Sequence, residues 1–199
     1  MSWYALSVKS GEEHVAKRWI EKHIGEESMY CMIPKRLVPE RKHGIMVNVE
    51  RALFPGYVFI ETKMSFSTYY KLKENPYLLK FLNYLNNRDK HCHHLMNVSS
   101  RGEAAYAEED YFKRIPADEI STVLLLLNDQ DMIDYSKICI QDMGVIVQSG
   151  PLKGLERHIK KIDKHKRRAK VLLSLMGTEK LIDFGIEIIS ESRSGALHA

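Results

Sequence analysis

Arg51-Ala52-Leu53-Phe54-Pro55-Gly56-Tyr57-Val58-Phe59-Ile60-Glu61 sets an aromatic bend directly against a strand. Pro55 fixes one backbone torsion and Gly56 tolerates positive φ, so the chain can turn sharply between Phe54 and Tyr57. Val58-Phe59-Ile60 follows as a β-branched and aromatic run, which predicts a central strand. Phe54 and Tyr57 flank the bend. They read either as core aromatics beside a turn or as an aromatic patch at a sheet edge, open to a partner.

Towards the N-terminus, Trp3 to Val8 reads as a short strand. Ser10-Gly11-Glu12-Glu13 has capping-box spacing, with Ser10 as N-cap and Glu13 at N3. Val15, Ala16, Trp19, Ile20 and Ile24 then recur at helical spacing as one core-facing stripe, and Gly25 stops the helix. Cys31 to Pro34 is a second strand. Lys35 to Gly44 reads as a basic hairpin arm turning near His43-Gly44, with Ile45 to Val49 returning; it suits either nucleic-acid contact or a solvated loop.

Beyond the bend, Ser65 precedes a predicted helix over Phe66–Lys73, Asn75-Pro76-Tyr77 breaks it, and Leu78 to Leu82 forms a last strand. The order β-α-β-β-β-α-β predicts an α+β layered domain. Arg101 to Glu119 is acidic and rich in small residues, which predicts a mobile excursion. A helix follows from Pro116, with Ile120, Val123, Leu124 and Leu127 at helical spacing. Asn128 to Ser136 is polar and reads as a linker. After it the period shortens. Val145–Val147, Arg157–Ile162, the alternating Ala169, Val171, Leu173 and Leu175, and two short runs, Leu181–Phe184 and Ile186–Ile189, predict a small barrel. The divisions expected are 1–128, with an acidic insertion near 99–118, a linker at 129–137, a barrel at 138–190 and a disordered tail at 191–199.

The composition excludes several classes. No run approaches the roughly 18 apolar residues of a membrane span, and Met1-Ser2-Trp3-Tyr4 opens no signal peptide. Cys31, Cys92 and Cys139 lack metal-site spacing and read as reduced, buried thiols. His91-Cys92-His93-His94 has no second ligand cluster, so no metal is expected. No nucleophile elbow, phosphate loop, zinc-protease pair or dinucleotide fingerprint is present, so no catalytic residue and no cofactor is expected. Charge is unevenly placed. Lys153 to Lys170 holds nine Lys or Arg against Glu156 and Asp163, a net +7, leaving −3 on the rest of a +4 chain. Such a segment points to a localised anionic partner. Lys153, Arg157, Lys160, Lys161, Lys164, Lys166, Arg167, Arg168 and Lys170 are its candidate contacts, with Lys164–Arg167 at a hairpin tip. Few aromatics interleave, so backbone and shape recognition of a structured RNA or duplex fits better than base stacking.

Leu53-Phe54-Pro55-Gly56-Tyr57-Val58 resembles the FPGYV signature of the NusG transcription factors, and Trp3-Tyr4-Ala5-Leu6 resembles their first strand. Gly144-Val145-Ile146-Val147-Gln148-Ser149-Gly150-Pro151-Leu152-Lys153-Gly154 resembles the KOW motif that ends such proteins. The resemblance implies an NGN domain, a four-stranded antiparallel sheet with flanking helices, followed by an SH3-like KOW barrel. It implies docking on the clamp helices of RNA polymerase through an aromatic-lined hollow. The positions carried over are Trp3, Tyr4, Phe54, Pro55 and Tyr57, with Arg51 beside them facing the clamp or non-template DNA. It also implies a monomer in the bacterial cytoplasm, associated with the nucleoid through polymerase. The basic barrel is most similar to the LoaP type, a specialised paralogue implied to read a leader RNA hairpin. Arg157, however, stands where the KOW pattern usually has glycine. The expected function is processive antitermination, with a structured leader RNA bound by the barrel. The alternatives are a housekeeping factor whose barrel binds ribosomal or termination proteins, and a free-standing KOW RNA-binding protein.

Overall fold

The computed structural model describes residues 1–25, 29–81, 108–141 and 144–189. The expectations for His91–His94, for the insertion up to residue 107 and for the 191–199 tail lie outside them. The chain forms two compact units, Met1–Ile33 with Phe54–Ile120, and Pro34–Leu53 with Ser121–Ala199.

In the first unit, β1 (Ser2–Val8), β2 (Tyr30–Met32), β5 (Tyr57–Thr62) and β6 (Leu78–Phe81) form an antiparallel sheet in the order β2-β5-β1-β6. The expected central strand is therefore central. Alternation sorts its residues onto two faces. Tyr4, Leu6, Val8, Val58 and Ile60 share a core with Ala16 and Ile20 of α1 (Glu13–Ile24) and Leu72 of α2 (Phe66–Lys73). The opposite face buries Ala5, Met32 and Phe59, and the Phe54 ring packs on Phe59 at 5.7 Å between centroids. Both helices end as the sequence indicates: Gly25 closes α1 at φ 89°, and the Ser65 hydroxyl accepts the Thr68 N–H at 3.0 Å to open α2.

The start of α1 differs. Its N-cap is Glu12, with no side-chain cap, and Glu13 is already the first helical residue. Its carboxylate accepts the Gly56 N–H at 2.7 Å, a bond across the fold rather than within a capping box. Residues 108–118 are also no free excursion. A 3-10 turn at Glu108–Tyr111 places Glu108 to accept the Phe66 N–H, Phe112 enters the core, and the Ile115 N–H donates to the Trp3 carbonyl. Buried aromatic area outweighs local acidity there. In α3 (Ala117–Leu126) the buried stripe is Ile120, Val123 and Leu126, whereas Leu124 is exposed.

The second unit begins with β3 (Lys35–Lys42) and β4 (Ile45–Ala52), which pair residue for residue from Lys35↔Ala52 to Lys42↔Ile45. This adds one strand to the expected order. The stretch expected as linker contains β7 (Met132–Ile133), which pairs in parallel with Lys35 and Arg36. A five-stranded sheet follows in the order β10-β11-β12-β8-β9, built from β8 (Ser136–Gln141), β9 (Gly144–Ser149), β10 (Ile159–Asp163), β11 (Arg168–Leu175) and β12 (Thr178–Ile188). It curls as an SH3-like barrel. Ala169, Val171, Leu173 and Leu175 are its buried face, as their alternation predicts.

Three local expectations in this unit are corrected. Residues 156–158 are a 3-10 turn, so the strand begins at Ile159. The two closing strands are one continuous β12, because Gly185 keeps extended backbone where the Leu37 carbonyl and the Tyr135 ring approach within 2.7 Å of where a Cβ would stand. β8 was not foreseen, although Ile138 and Ile140 alternate within it.

Candidate functional site

The bend of the first unit is locked from three sides. Gly56 has φ 81°, in the left-handed region, and its carbonyl accepts the Val8 N–H at 2.8 Å. A Cβ there would lie 3.1 Å from Ser10 Oγ and 3.3 Å from the Val8 carbonyl, so glycine is favoured by space as well as by torsion. The Tyr57 N–H returns to the Phe54 carbonyl at 3.2 Å and closes the turn. Glu13, itself buried, supplies the carboxylate that holds the Gly56 N–H.

This arrangement divides the aromatic candidates. Tyr4 is 0 % exposed and Phe54 2 %, so their rings support the sheet from within. Trp3 and Tyr57 are half-buried and Pro55 is exposed. Trp3 meets Tyr30 edge to face at 5.8 Å, on a row that also holds Glu61. Tyr30 was not anticipated, since its proximity to Trp3 is set by sheet pairing with β5. Arg51 lies in the second unit, where it forms a two-pronged pair with Glu40 at 2.9 and 2.7 Å. That bond, with the pair's mutual attraction, raises the Arg51 pKa and lowers that of Glu40.

The basic run of the second unit divides as well. Lys164, Lys166 and Arg167 stand exposed on the turn between β10 and β11, where Arg167 takes φ 50°. Asp163, the acid beside them, accepts the Lys166 N–H at 2.9 Å. Lys160 and Lys161 are exposed on edge strand β10, with Lys160 donating to the Arg157 carbonyl at 3.3 Å. Lys153 and Arg157 are exposed on the preceding turns, and Arg157 donates to the His158 ring at 3.1 Å. The backbone at Arg157, where the motif usually has glycine, is an ordinary 3-10 turn without positive φ.

Arg168 and Lys170 are tied into the fold. Arg168 donates through two nitrogens to the Pro39 carbonyl at 2.6 and 3.1 Å and pairs with Asp183 at 3.3 Å. Lys170 pairs with the same carboxylate at 3.0 Å. Burial alone would push the Asp183 carboxyl up, but the bonds and charges of Lys170 and Arg168 outweigh it and hold the carboxyl below its ordinary value. Arg36 donates to the Asp183 carbonyl oxygen, and burial lowers the pKa of its guanidinium. Asp183 and Arg36 escaped the sequence reading because no spacing rule links positions so far apart. Among the described residues no group of His, Cys, Asp and Glu is arranged to hold a metal, and Cys31 and Cys139 are buried and in no disulfide. No helix among them is long and apolar enough to cross a membrane.

A signature bend on a central strand, followed by an SH3-like barrel, matches what comparison with known proteins returns. A family profile described as "Transcription termination factor nusG" matches residues 1–97. A Synechocystis protein named transcription termination/antitermination protein NusG is 28% identical over 188 residues, covering 89% of this chain and 82% of its own length. The Bacillus subtilis protein of that name is 27% identical over 183 residues, covering 89% and 91%. Over most of its length the chain is similar to NusG proteins. Among solved structures, one titled "Domain interaction in Thermotoga maritima NusG" aligns over 92% of this chain and 93% of its own, at 22% identity and a TM-score of 0.43. In NusG terms the first unit carries the NGN sheet and the second carries the KOW barrel together with the β3–β4 hairpin.

Proposed function

We propose that this chain is a transcription antitermination factor that binds RNA polymerase through the surface around the 54–57 bend and binds a structured leader RNA through its barrel. The termination/antitermination name of the relatives supports the polymerase half. On this reading Trp3, Pro55 and Tyr57 contact the clamp helices, with Tyr30 beside them, while Tyr4 and Phe54 hold the surface from beneath. Aromatics present a large area at small entropic cost, which suits an interface anchor.

The observation that carries the RNA half is the exposed turn Lys164–Arg167 with Lys160 and Lys161 on the adjoining edge strand. Its neighbouring acid, Asp163, accepts the Lys166 N–H and so helps to hold the turn. Neutralising several phosphates at once gives strong, salt-sensitive binding, and arginine adds two-pronged contacts. Arg168 and Lys170, already paired, contribute less. The division at 1–128 and 138–190 remains the proposed functional one, with the barrel and the polymerase-binding domain acting on separate partners; tethering raises the effective concentration of each contact.

The test titrates the full chain with leader hairpins and scrambled RNA across a salt series. Preference for one hairpin, lost on replacing Lys164, Lys166 and Arg167 by Ala, supports a sequence-recruited antiterminator of the LoaP type. Equal binding of all RNAs reduces the barrel to an unspecific anchor, and no binding sinks the RNA half. A second reading is favoured by Leu181, 56 % exposed and paired across the sheet with Leu172. An apolar pair on an outer strand face suits a protein partner such as a ribosomal protein, as in a housekeeping factor.

A further inference from the structure

The β3–β4 hairpin carries a feature that neither half of the proposed function uses. Its proximal part is fixed in the second unit, where Val38 is buried, the Pro39 carbonyl binds Arg168 and Asn48 accepts the Tyr135 hydroxyl at 2.7 Å. Its distal part, Arg41 to Met46, is exposed throughout. His43 and Gly44 form a two-residue turn with φ 49° and 83°, the twist-matched hairpin turn that holds a strand pair in strict register. Arg41 faces Met46 and Lys42 faces Ile45 across the ribbon, so each face bears one cation and one apolar side chain.

Arg41 and Lys42 give this tip two exposed positive charges. The acids of the hairpin are engaged further down, Glu40 by Arg51 and Glu50 by Lys35 at 3.1 Å. Arg41 and Lys42 take part in the ribbon through their backbones, and Lys42 acts on Glu40 only through space. A ribbon that merely guarded its edge would need charge alone. Here Ile45 is 68 % exposed and Met46 39 % beside the cations, a combination that suits an anionic partner with apolar groups set in a groove.

We propose that the tip of the β3–β4 hairpin binds B-form duplex DNA, entering the major groove. A two-stranded ribbon fits a groove about 12 Å wide and about 8.5 Å deep. Three exposed residues per arm, at about 3.3 Å each, project about 10 Å, close to that depth. The A-form groove of duplex RNA is too narrow to admit a ribbon, which sets DNA apart from RNA on geometry alone. Arg41 and Lys42 reach phosphates or guanine edges, and Ile45 and Met46 meet thymine methyl groups. The tip would thus touch DNA while the barrel turn engages RNA.

The test uses the full chain and fluorescent duplexes of about two helical turns, one DNA and one RNA of the same sequence, followed by anisotropy across a salt series. Arg41→Ala with Lys42→Ala should weaken DNA duplex binding and lower the salt slope by about 2. Ile45→Ser with Met46→Ser should weaken DNA binding at unchanged slope, and both pairs should leave RNA duplex binding as it was. Lys164→Ala with Lys166→Ala removes the same charge elsewhere and should spare DNA binding. Tip variants that bind DNA like the parent overturn the proposal, as do equal losses on DNA and RNA, or an equal DNA loss from the barrel pair. A photo-crosslinking residue at position 43 of the otherwise unchanged chain should label the DNA duplex, and its failure to do so also overturns the proposal.

Discussion

Removing the Glu13 carboxylate tests how the signature bend is held. Glu13→Ala leaves the Gly56 N–H, bonded at 2.7 Å in the parent, without its acceptor in a site where the carboxylate was buried. A hydrogen bond to a charged acceptor contributes about 1.5–3 kcal/mol. Relief of the buried charge offsets part of that loss, which leaves about 1–2 kcal/mol of destabilisation. For a domain of about 100 residues this corresponds to a fall in melting temperature of roughly 4–16 °C. Glu13→Gln keeps an acceptor oxygen without the charge and should lose less. Circular-dichroism melts of the full chain compare the three proteins, and amide exchange at Gly56 reports the bond itself. Exchange should quicken in the Ala variant and change little in the Gln variant. If both variants melt with the parent and Gly56 exchanges unchanged, the bend is not held by Glu13, and its rigidity must come from Gly56 and the Val8 pairing alone.

Gly150, at φ 96°, would place a Cβ 2.6 Å from the Tyr135 carbonyl and 2.7 Å from Ser136 Cα, whereas Gly154, at φ 81°, has open space around it. Gly150→Ala should therefore cost several times the roughly 1 kcal/mol expected of Gly154→Ala, as read by urea denaturation. Arg168→Lys cannot reproduce the two-nitrogen contact on the Pro39 carbonyl and should cost about 1 kcal/mol by the same measurement, with circular dichroism otherwise unchanged. The Asp183 carboxyl lies below its ordinary 3.8 in the folded state, so its stabilisation is present above that pH and is lost as pH falls through the folded value. The melting gap between the parent and Asp183→Asn should accordingly be widest near neutrality and close in acid; a gap independent of pH would count against the pairing.

Short-range patterns reached far in this chain. Ser65 before Phe66, Gly25 after Ile24 and the alternation from Ala169 to Leu175 each bear a rule that operates within one turn or one strand, and each element formed as those rules require. The aromatic bend and its central strand were equally legible, because Pro55, Gly56 and the β-branched run act on neighbouring torsions. Where the reading failed, a distant partner had decided the matter. Ser10 and Glu13 carry capping-box spacing, but β1 and β5 bring Gly56 to Glu13, and a buried N–H claims the carboxylate more strongly than a solvated helix end does. The break expected between Phe184 and Ile186 is absent because Gly185 passes beneath Leu37 and Tyr135.

By itself, then, the sequence determined the layered sheet, the barrel and the concentration of positive charge between Lys153 and Lys170, since composition and period are local properties. Only the tertiary structure decided which of those charges are available. Asp183 arrives on β12 opposite Lys170 and draws it and Arg168 into the fold, while Lys164, Lys166 and Arg167 remain on an exposed turn. It likewise sent Tyr4 and Phe54 inward and left Trp3 and Tyr57 at the surface. The reason is that a side chain's availability depends on what lies across the sheet from it, and strand pairing joins residues that no sequence spacing connects.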